Sequence, residues 1–228
     1  MIGIIGAMDV EVESIKALLS DTQTENISGV NFVCGSFAGK EIVVAKCGVG
    51  KVFSALCTEA MILKFSPEII INVGVAGCLT PELKIGDAVI ADNVCQHDMD
   101  TSPLGDPVGM LSDINIVKIS TDQKVTALLE DVIKESGMNY RIGTIASGDQ
   151  FVASTEKKDY IKSNFGAISC EMEGGSIGHV CYVNKVPFAV FRTLSDGADD
   201  GANMDFPTFC KMAAENEVKI IEKFLLKA

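Results

Sequence analysis

Basic and metal-binding side chains are scarce in this sequence of 228 residues. It has no tryptophan, two histidines and only two arginines, Arg141 and Arg192. Lysine and arginine together number 19 against 31 aspartates and glutamates, which gives a formal net charge of −12. Nucleic acids and anionic membranes select basic surfaces, so both are excluded as the main partner. So few arginines also leave few groups for bidentate phosphate recognition.

Clustered metal ligands are also lacking. The eight cysteines include no CxxC pair, and His97, which precedes Asp98, has only His179 as a possible partner histidine. A zinc site needs several nitrogen or sulfur ligands close together. We therefore expect no metal and no cofactor, and we interpret the cysteines as reduced thiols in a cytoplasmic protein.

No segment is typical of membrane insertion or export. The longest apolar run, Ile69 to Leu79, is interrupted by Asn72 and is far shorter than the roughly 20 apolar residues of a membrane span. The N-terminal residues lack the basic region and cleavage site of a signal peptide. Both observations favour a cytoplasmic location.

Apolar runs of strand length alternate with stretches of helical periodicity. The pattern predicts an α/β protein, a single domain over 1–228, with three layers and a mixed central β-sheet flanked by helices. The predicted strands are Ile2–Ala7, Val30–Ser36, Glu41–Lys46, Glu68–Val73, Asp87–Asp92, Arg141–Ala146 and Val186–Thr193. The predicted helices are Asp9–Leu19, Lys51–Phe65, Gln123–Ser136 and Asp205–Leu226.

Acids and glycines gather where these strands end, which is where open α/β sheets bind ligands. Glu11, Glu173 and Asp196 each follow a different strand end. If a helix begins at Glu173, that carboxylate can stay ionised and accept hydroxyl hydrogen bonds. Asp196 opens an acidic, glycine-rich loop that is suited to a mobile site element.

Two familiar motifs fail. Gly174–Gly178 matches the G-x-S-x-G of serine hydrolases, but no Asp and then His follow it to complete a triad. Gly48–Lys51 suggests a phosphate loop, but Ala45 and Val52 stand where a glycine and a Ser or Thr are required.

Seven ordered motifs nevertheless resemble one family, the 5′-methylthioadenosine/S-adenosylhomocysteine nucleosidases of the nucleoside phosphorylase superfamily. The resemblance spans nearly the whole chain. The motifs are Gly3–Met8 with Glu11, Gly48–Val52, Ile70–Gly74 with Ala76 and Gly77, Gly86-Asp87, Ser147–Asp149 with Phe151, Glu171–Glu173, and Arg192 with Ser195 and Asp196.

The resemblance implies a homodimeric enzyme that hydrolyses the bond between adenine and ribose in thioether nucleosides. It implies that Asp196 is the acid that assists adenine departure through N7 and that Glu11 is the base that activates water. Developing positive charge on the sugar and negative charge on the purine suit such a pair, so we expect the pKa of Asp196 to be raised and that of Glu11 to stay low.

The other site residues also come from the resemblance. Glu173 and Met172 would hold the ribose, Phe151 would stack on adenine, and the Val152 backbone would bind the adenine edge. Phe206 would close over the base and Arg192 would order the acids. Ala76, Gly77 and Ser195 complete the implied substrate-binding set.

Three places depart from the family pattern. The family commonly has a serine at the position of Val75 and a glycine at that of Cys78. A lost hydroxyl removes a possible hydrogen bond to substrate or to a neighbouring acid. The Thr101–Asp106 loop, which in relatives reaches the partner subunit's site, has Leu104 and Asp106 where aromatic residues are familiar. The preferred 5′ substituent is therefore open.

Two alternatives remain. A purine nucleoside phosphorylase could share the fold, but phosphate needs a cationic cradle and Glu11 would repel it. A non-catalytic adenine-nucleoside binding protein is favoured only by Val75.

Overall fold

The computed structural model describes residues 1–203 and 205–228 in full and residue 204 by its backbone. Ten strands and six α-helices follow one another along the chain. The strands are β1 (Ile2–Gly6), β2 (Ser20–Ile27), β3 (Val30–Phe37), β4 (Lys40–Lys46), β5 (Ile69–Cys78), β6 (Ala88–Gln96), β7 (Ile119–Ser120), β8 (Tyr140–Ser147), β9 (Ser169–Glu171) and β10 (Phe188–Asp196). The helices are α1 (Asp9–Lys16), α2 (Lys51–Phe65), α3 (Gln123–Ser136), α4 (Thr155–Phe165), α5 (Gly174–Asn184) and α6 (Ala202–Lys227).

One mixed sheet contains all ten strands. β5 is its centre: β1 and β10 both run parallel to it, and every residue of β5 is buried. The strands β10, β6, β8 and β9 lead round from β5 and return to it, because β9 pairs antiparallel with its last two residues. The sheet therefore curls into a closed ring on one side and continues through β1, β4, β3 and β2 on the other.

Helices cover both faces of this sheet, as the three-layer prediction requires. On one face Cys57 and Met61 of α2 pack with Ile177 and Cys181 of α5. On the other face α1, α3 and α6 bury aliphatic side chains such as Val12, Leu129, Ile133, Ile220 and Phe224. The predicted α/β architecture with a mixed central sheet is confirmed.

Helix ends match the sequence where local signals are strong. α2 and α3 have the predicted bounds. Asp122 caps α3 by accepting hydrogen bonds from the Lys124 and Val125 amides, both at 3.0 Å, and Gly137 ends the helix at φ 74°. Side-chain caps and left-handed glycines have clear sequence signatures.

Polar elements were missed. β2 (SDTQTENI) is almost wholly exposed, and α4 (TEKKDYIKSNF) buries only Ile161 and Phe165. Neither carries the apolar periodicity on which the assignment relied. β5, β6 and β10 are also longer than predicted, since each continues through small or polar residues that the closed ring buries.

The curl of the sheet brings several strand ends to one place. β1, β5, β9 and β10 end at Gly6, Cys78, Glu171 and Asp196. Ligands bind at such strand ends in open α/β sheets, so this rim is the expected place of the functional site.

Candidate active site

A cavity of about 390 Å³ opens at the rim where these strands end. This volume suits a small organic ligand. Its wall consists of Ala7, Met8, Glu11, Val49, Val75, Ala76, Gly77, Gln150, Phe151, Val152, Cys170, Glu171, Met172, Glu173, Ser195, Asp196 and Phe206. Among the described residues that form this wall, four are carboxylic acids and none is lysine or arginine.

Glu11 is held by backbone amides. Its Oε2 accepts the N–H groups of Ala7 at 2.7 Å and Met8 at 2.9 Å, and its Oε1 accepts that of Val75 at 3.1 Å. Burial raises the pKa of Glu11, and Arg192 and these amides oppose that rise. The expectation that the pKa of Glu11 stays low is therefore wrong, because the carboxyl is almost fully withdrawn from water.

Asp196 lies at the end of β10, where Gly77 passes close by. Its Oδ2 accepts the Ser195 hydroxyl and its Oδ1 accepts the Ala198 amide, both at 2.9 Å. Burial raises the pKa of Asp196. The two hydrogen bonds oppose this rise, and the nearby carboxylates of Asp205 and Asp199 add to it. A Cβ at residue 77 would lie only 2.9 Å from Asp196 Oδ1, so the close contact between β5 and the Asp196 carboxyl requires glycine at this position.

Glu173 stands immediately before α5. Its Oε1 accepts the Gly50 amide at 2.9 Å, which joins the start of α2 to the site. Burial, followed by the neighbouring Glu171, raises the pKa of Glu173 to about 8. The expectation that Glu173 stays ionised is thus wrong at neutral pH, where the protonated form predominates.

Arg192 is the only predicted site residue that does not form part of the cavity wall. It is 1% exposed, behind the acids. Its Nη2 donates to Asn72 Oδ1 at 2.6 Å and to Glu171 Oε2, and lies 3.7 Å from Glu173 Oε2. Burial alone would lower the pKa of Arg192, but the surrounding carboxylates raise it, so the guanidinium stays charged.

Two aromatic rings close one end of the cavity. The rings of Phe151 and Phe206 meet edge to face with centroids 5.5 Å apart. Phe151 is 48% exposed although it is apolar. An exposed aromatic ring at the mouth of a cavity is a surface on which a flat heteroaromatic ligand can stack.

Known nucleosidases and one family model match this chain over nearly its full length. A family model described as Phosphorylase superfamily matches residues 1–226. A 5′-methylthioadenosine/S-adenosylhomocysteine nucleosidase of Staphylococcus carnosus is 38% identical over 226 residues, which cover 99% of each chain. An aminodeoxyfutalosine nucleosidase of Helicobacter pylori is 39% identical over 225 residues, 98% of this chain and 97% of that one. The structure of a Helicobacter pylori MTAN mutant with 5′-methylthioadenosine in its active site superimposes with a TM-score of 0.96 at 37% identity, covering 100% of this chain and 98% of that one.

The chain belongs to the phosphorylase superfamily, in the 5′-methylthioadenosine/S-adenosylhomocysteine nucleosidase family. Within this nucleosidase fold, all predicted site residues except Arg192 share the one cavity. Their individual roles stay predictions. Among the described residues, no group of three His, Cys, Asp or Glu could hold a metal ion.

The two departures within β5 have different surroundings. Val75, where this nucleosidase family commonly has serine, packs against Cys210 and Ala213 of α6. The Cys78 thiol donates to the Thr80 carbonyl oxygen at 3.1 Å and lies away from the cavity wall. Of the two substitutions, only Val75 changes the surface that a nucleoside would meet.

Three further residues at or behind the cavity were not predicted from the sequence as site residues. Glu171 lies on the cavity wall, and Asn72 binds Arg192 behind it. Glu217 of α6 is fully buried behind the cavity, where its carboxyl accepts the Gly74 amide. The signal for Glu217 is present in the sequence, because it stands on the otherwise apolar stripe of Cys210, Ala213, Ile220 and Phe224.

Proposed function

We propose that this chain hydrolyses the N-glycosidic bond of 5′-methylthioadenosine and S-adenosylhomocysteine, with 5′-deoxyadenosine as a further substrate. The products are adenine and the free sugar, which is a thioribose from the two thioether nucleosides and 5-deoxyribose from 5′-deoxyadenosine, and the nucleophile is water. The observation that carries this proposal is a nucleoside-sized cavity with Glu11, Glu173 and Asp196 on its wall. The names of its full-length relatives support it.

Water as nucleophile is favoured over phosphate by the charges at the site. A phosphorylase must bind an anion, yet the described cavity wall carries acids without lysine or arginine. Arg192 lies behind Glu171 and Asn72, which already accept its hydrogen bonds. A phosphate placed beside Glu11 would meet like charge without a compensating cation.

The proposed mechanism divides proton transfers between two acids. Asp196, whose pKa is raised by burial, donates a proton to the departing adenine at N7. Glu11, ionised, takes a proton from the attacking water. Its raised pKa makes it a better base near neutral pH than an exposed glutamate would be.

The other residues of the cavity wall would position the nucleoside. Glu173 and Met172 hold the ribose hydroxyls, and Phe151 and Phe206 enclose the adenine. The Val152 backbone binds the adenine edge. Ala76, Gly77 and Ser195 line the same wall.

The deciding experiment measures adenine release from 5′-methylthioadenosine in phosphate-free buffer. We expect turnover there. Strict phosphate dependence with 5-methylthioribose-1-phosphate as product would establish a phosphorylase, and binding without turnover would establish a non-catalytic protein.

Aminodeoxyfutalosine is a second candidate substrate. The Helicobacter pylori relatives that carry this name are 39% and 38% identical to the chain. Both substrates would present an adenine and a ribose to the same acids and differ in the 5′ group. A panel of methylthio-, homocysteinyl- and deoxy-adenosine with aminodeoxyfutalosine, scored by kcat/KM for adenine release, ranks them.

We further propose a homodimer in which the Thr101–Asp106 loop reaches the partner's site. Beside the cavity, α2 exposes apolar side chains: Val52 is 77% and Phe53 is 60% exposed, and Leu56 lies on the same helix. Leu104 in the loop is also exposed. Such a patch is typical of an interaction surface. Light scattering should give the dimer mass for the parent and a monomer for Phe53→Asp.

A cytoplasmic location and a place in methionine salvage complete the proposal. All eight cysteines are free thiols, which suits a reducing compartment. Among the described residues, no helix is both long enough and apolar enough to cross a bilayer. Cell fractionation tests the location, and loss of growth on methylthioadenosine as sulfur source after deletion tests the pathway.

A further inference from the structure

Glu217 is a buried acid that has no role in the mechanism proposed above. It projects from α6 towards β5 and is fully buried. Its Oε1 accepts the Gly74 amide at 2.5 Å. Its Oε2 has no hydrogen-bond partner among the described residues. A buried carboxyl with a single donor is an expensive feature unless it carries a proton.

The amide that Glu217 binds is next to one that binds Glu11. The parallel pairing of β1 with β5 ends at Asn72 and β9 joins β5 only at Gly77, so neither of these strands pairs with Gly74 or Val75. There the Gly74 N–H donates to Glu217 and the following Val75 N–H donates to Glu11. Two consecutive amides thus connect α6 to the proposed base of the reaction.

Glycine is required at the centre of this connection. Gly74 has a φ of 150°, and a Cβ there would overlap the Arg192 guanidinium and lie 2.6 Å from Glu11 Oε1. The Gly74–Val75 corner, defined here as these two residues and their shared peptide, is therefore confined by Arg192 and Glu11 on one side. Glu217 holds it from the other side.

The charges of the region demand an unequal distribution of protons. One guanidinium, that of Arg192, faces four carboxyl groups, those of Glu11, Glu171, Glu173 and Glu217. Glu171 receives four hydrogen bonds, from Ser147, Arg192 and the Glu173 and Gly174 amides. Glu11 receives three, and Glu173 and Glu217 receive one each. Of these two, Glu173 also lies 3.7 Å from Arg192 Nη2. A single cation cannot support four buried negative charges, and the carboxyls with the fewest donors keep their protons most readily.

We propose that Glu217 is a positioning residue for the reaction: as a neutral carboxylic acid it holds the Gly74–Val75 corner from behind, so that the Val75 amide stays on Glu11 and the charge of Arg192 stays available to the acids of the cavity. Resting on the proposed function, this assigns to α6 a part in setting the basicity of Glu11. Glu217 itself touches neither substrate nor water.

The environment of Glu217 supports this neutral state. The titratable groups that face it are Glu11 from α1, Arg192 from β10 and Cys210 from its own helix. Burial raises the pKa of Glu217 well above its usual value and Glu11 adds to the rise, while Arg192 and the Gly74 amide oppose it.

Two variants separate the hydrogen bond from the charge. Glu217→Gln keeps an oxygen for the Gly74 amide and is neutral at every pH. Glu217→Leu leaves that buried amide unpaired. We expect the Gln variant to retain kcat within about threefold, whereas the Leu variant loses about tenfold in kcat, the factor expected for an unsatisfied buried donor. Glu215→Gln and Glu215→Leu, at an exposed site of the same helix, are the matched controls and should behave as the parent.

The pH profile of kcat/KM gives a readout that mere destabilisation would not move. In Glu217→Leu the Val75 amide is displaced from Glu11, so the acidic limb should move to higher pH. In Glu217→Gln it should stay in place. A shift of that limb to lower pH in the Gln variant would show that Glu217 is charged in the parent. An unmoved limb with parental kcat in the Leu variant would show that the Gly74–Val75 corner needs no support. Either result overturns the proposal.

Infrared difference spectroscopy tests the neutral state without activity. Parent minus Glu217→Gln at neutral pH should show the carbonyl stretch of a protonated carboxylic acid, and the Glu215→Gln difference should not. A carboxylate band alone would overturn the proposal even if Glu217→Leu does not fold. Because the parent's adenine release is measured separately, failure of the proposed function and failure of the role of Glu217 give different results.

Discussion

Glu11 accepts a hydrogen bond from the backbone of Val75 at 3.1 Å, although 64 residues separate the two in sequence. Together with the Ala7 and Met8 amides, this contact orients the carboxylate that would activate water. The base is thus held by backbone from β5 and from the bend that follows β1, and its position depends on the pairing of these two strands.

Replacing Glu11 by Gln should remove the general base and leave the fold intact. Adenine release should fall by about 10²–10⁴-fold in kcat, the usual contribution of a positioned base. Glu13→Gln, an exposed acid on the same helix, should retain parental turnover. Parental activity in Glu11→Gln would remove Glu11 from the mechanism.

Asp196→Asn should abolish proton donation to adenine while nucleoside binding persists. We expect a loss of about 10²–10⁴-fold in kcat, with dissociation constants for substrate by calorimetry close to those of the parent. Asp200→Asn, an exposed acid in the same loop, is the control. Since Asp196 acts as an acid, parental activity should decline as pH rises through its raised pKa, and activity that instead kept rising through this range would contradict the assignment.

Glu173 should make stability depend on pH in a defined direction. Its pKa is about 8 in the folded protein against an ordinary 4.5, so the stability it contributes is fully present below about pH 4.5 and is lost as pH rises through about 8. The melting temperature of Glu173→Gln relative to the parent should therefore rise between these values and then level off. A difference that is constant with pH, measured by calorimetry, would show that Glu173 ionises normally.

Phe151→Ala should weaken substrate binding more than catalysis. Stacking of an aromatic side chain on a base contributes about 1–3 kcal/mol, so KM should rise roughly 5- to 150-fold while kcat changes little. Tyr182→Ala, which removes an aromatic ring of the same 48% exposure that lies off the cavity wall, is the comparison in binding to a substrate analogue. An equal loss in kcat alone would point to a catalytic position for the ring.

Lys158→Met should loosen the loop that follows Asp196. The Lys158 ammonium donates to the Gly197 carbonyl oxygen at 2.6 Å and lies 3.6 Å from the Asp199 carboxylate. Losing this charge-assisted hydrogen bond should lower kcat/KM by about tenfold. Lys157→Met removes a neighbouring lysine that instead contacts the ring of Tyr160, and it should leave kcat/KM unchanged.

Local signals explain which elements were predictable. α3 has the predicted bounds because apolar periodicity, an Asp cap and a left-handed glycine occur in adjacent residues, and α2 has them because its apolar run lies between Gly50 and Ser66. β2 and α4 are polar surface elements, whose existence depends on neighbouring strands and on the chain connections rather than on burial. Burial is what gives a sequence its periodic signal, so exposed elements leave little trace.

The sequence alone determined the α/β class, the order of the main elements and the family, because apolar periods and ordered motifs need no knowledge of distant contacts. It also named three of the four acids that share the cavity, Glu11, Glu173 and Asp196. Only the tertiary structure decided their protonation. The curl of the sheet places Glu11, Glu171, Glu173 and Glu217 around one buried guanidinium, and the pKa of a carboxyl depends on the water, charges and donors that the fold brings to it. For that reason the pKa values of Glu11 and Glu173 differ from expectation, and the contact of Glu217 with the Gly74 amide became visible only in three dimensions.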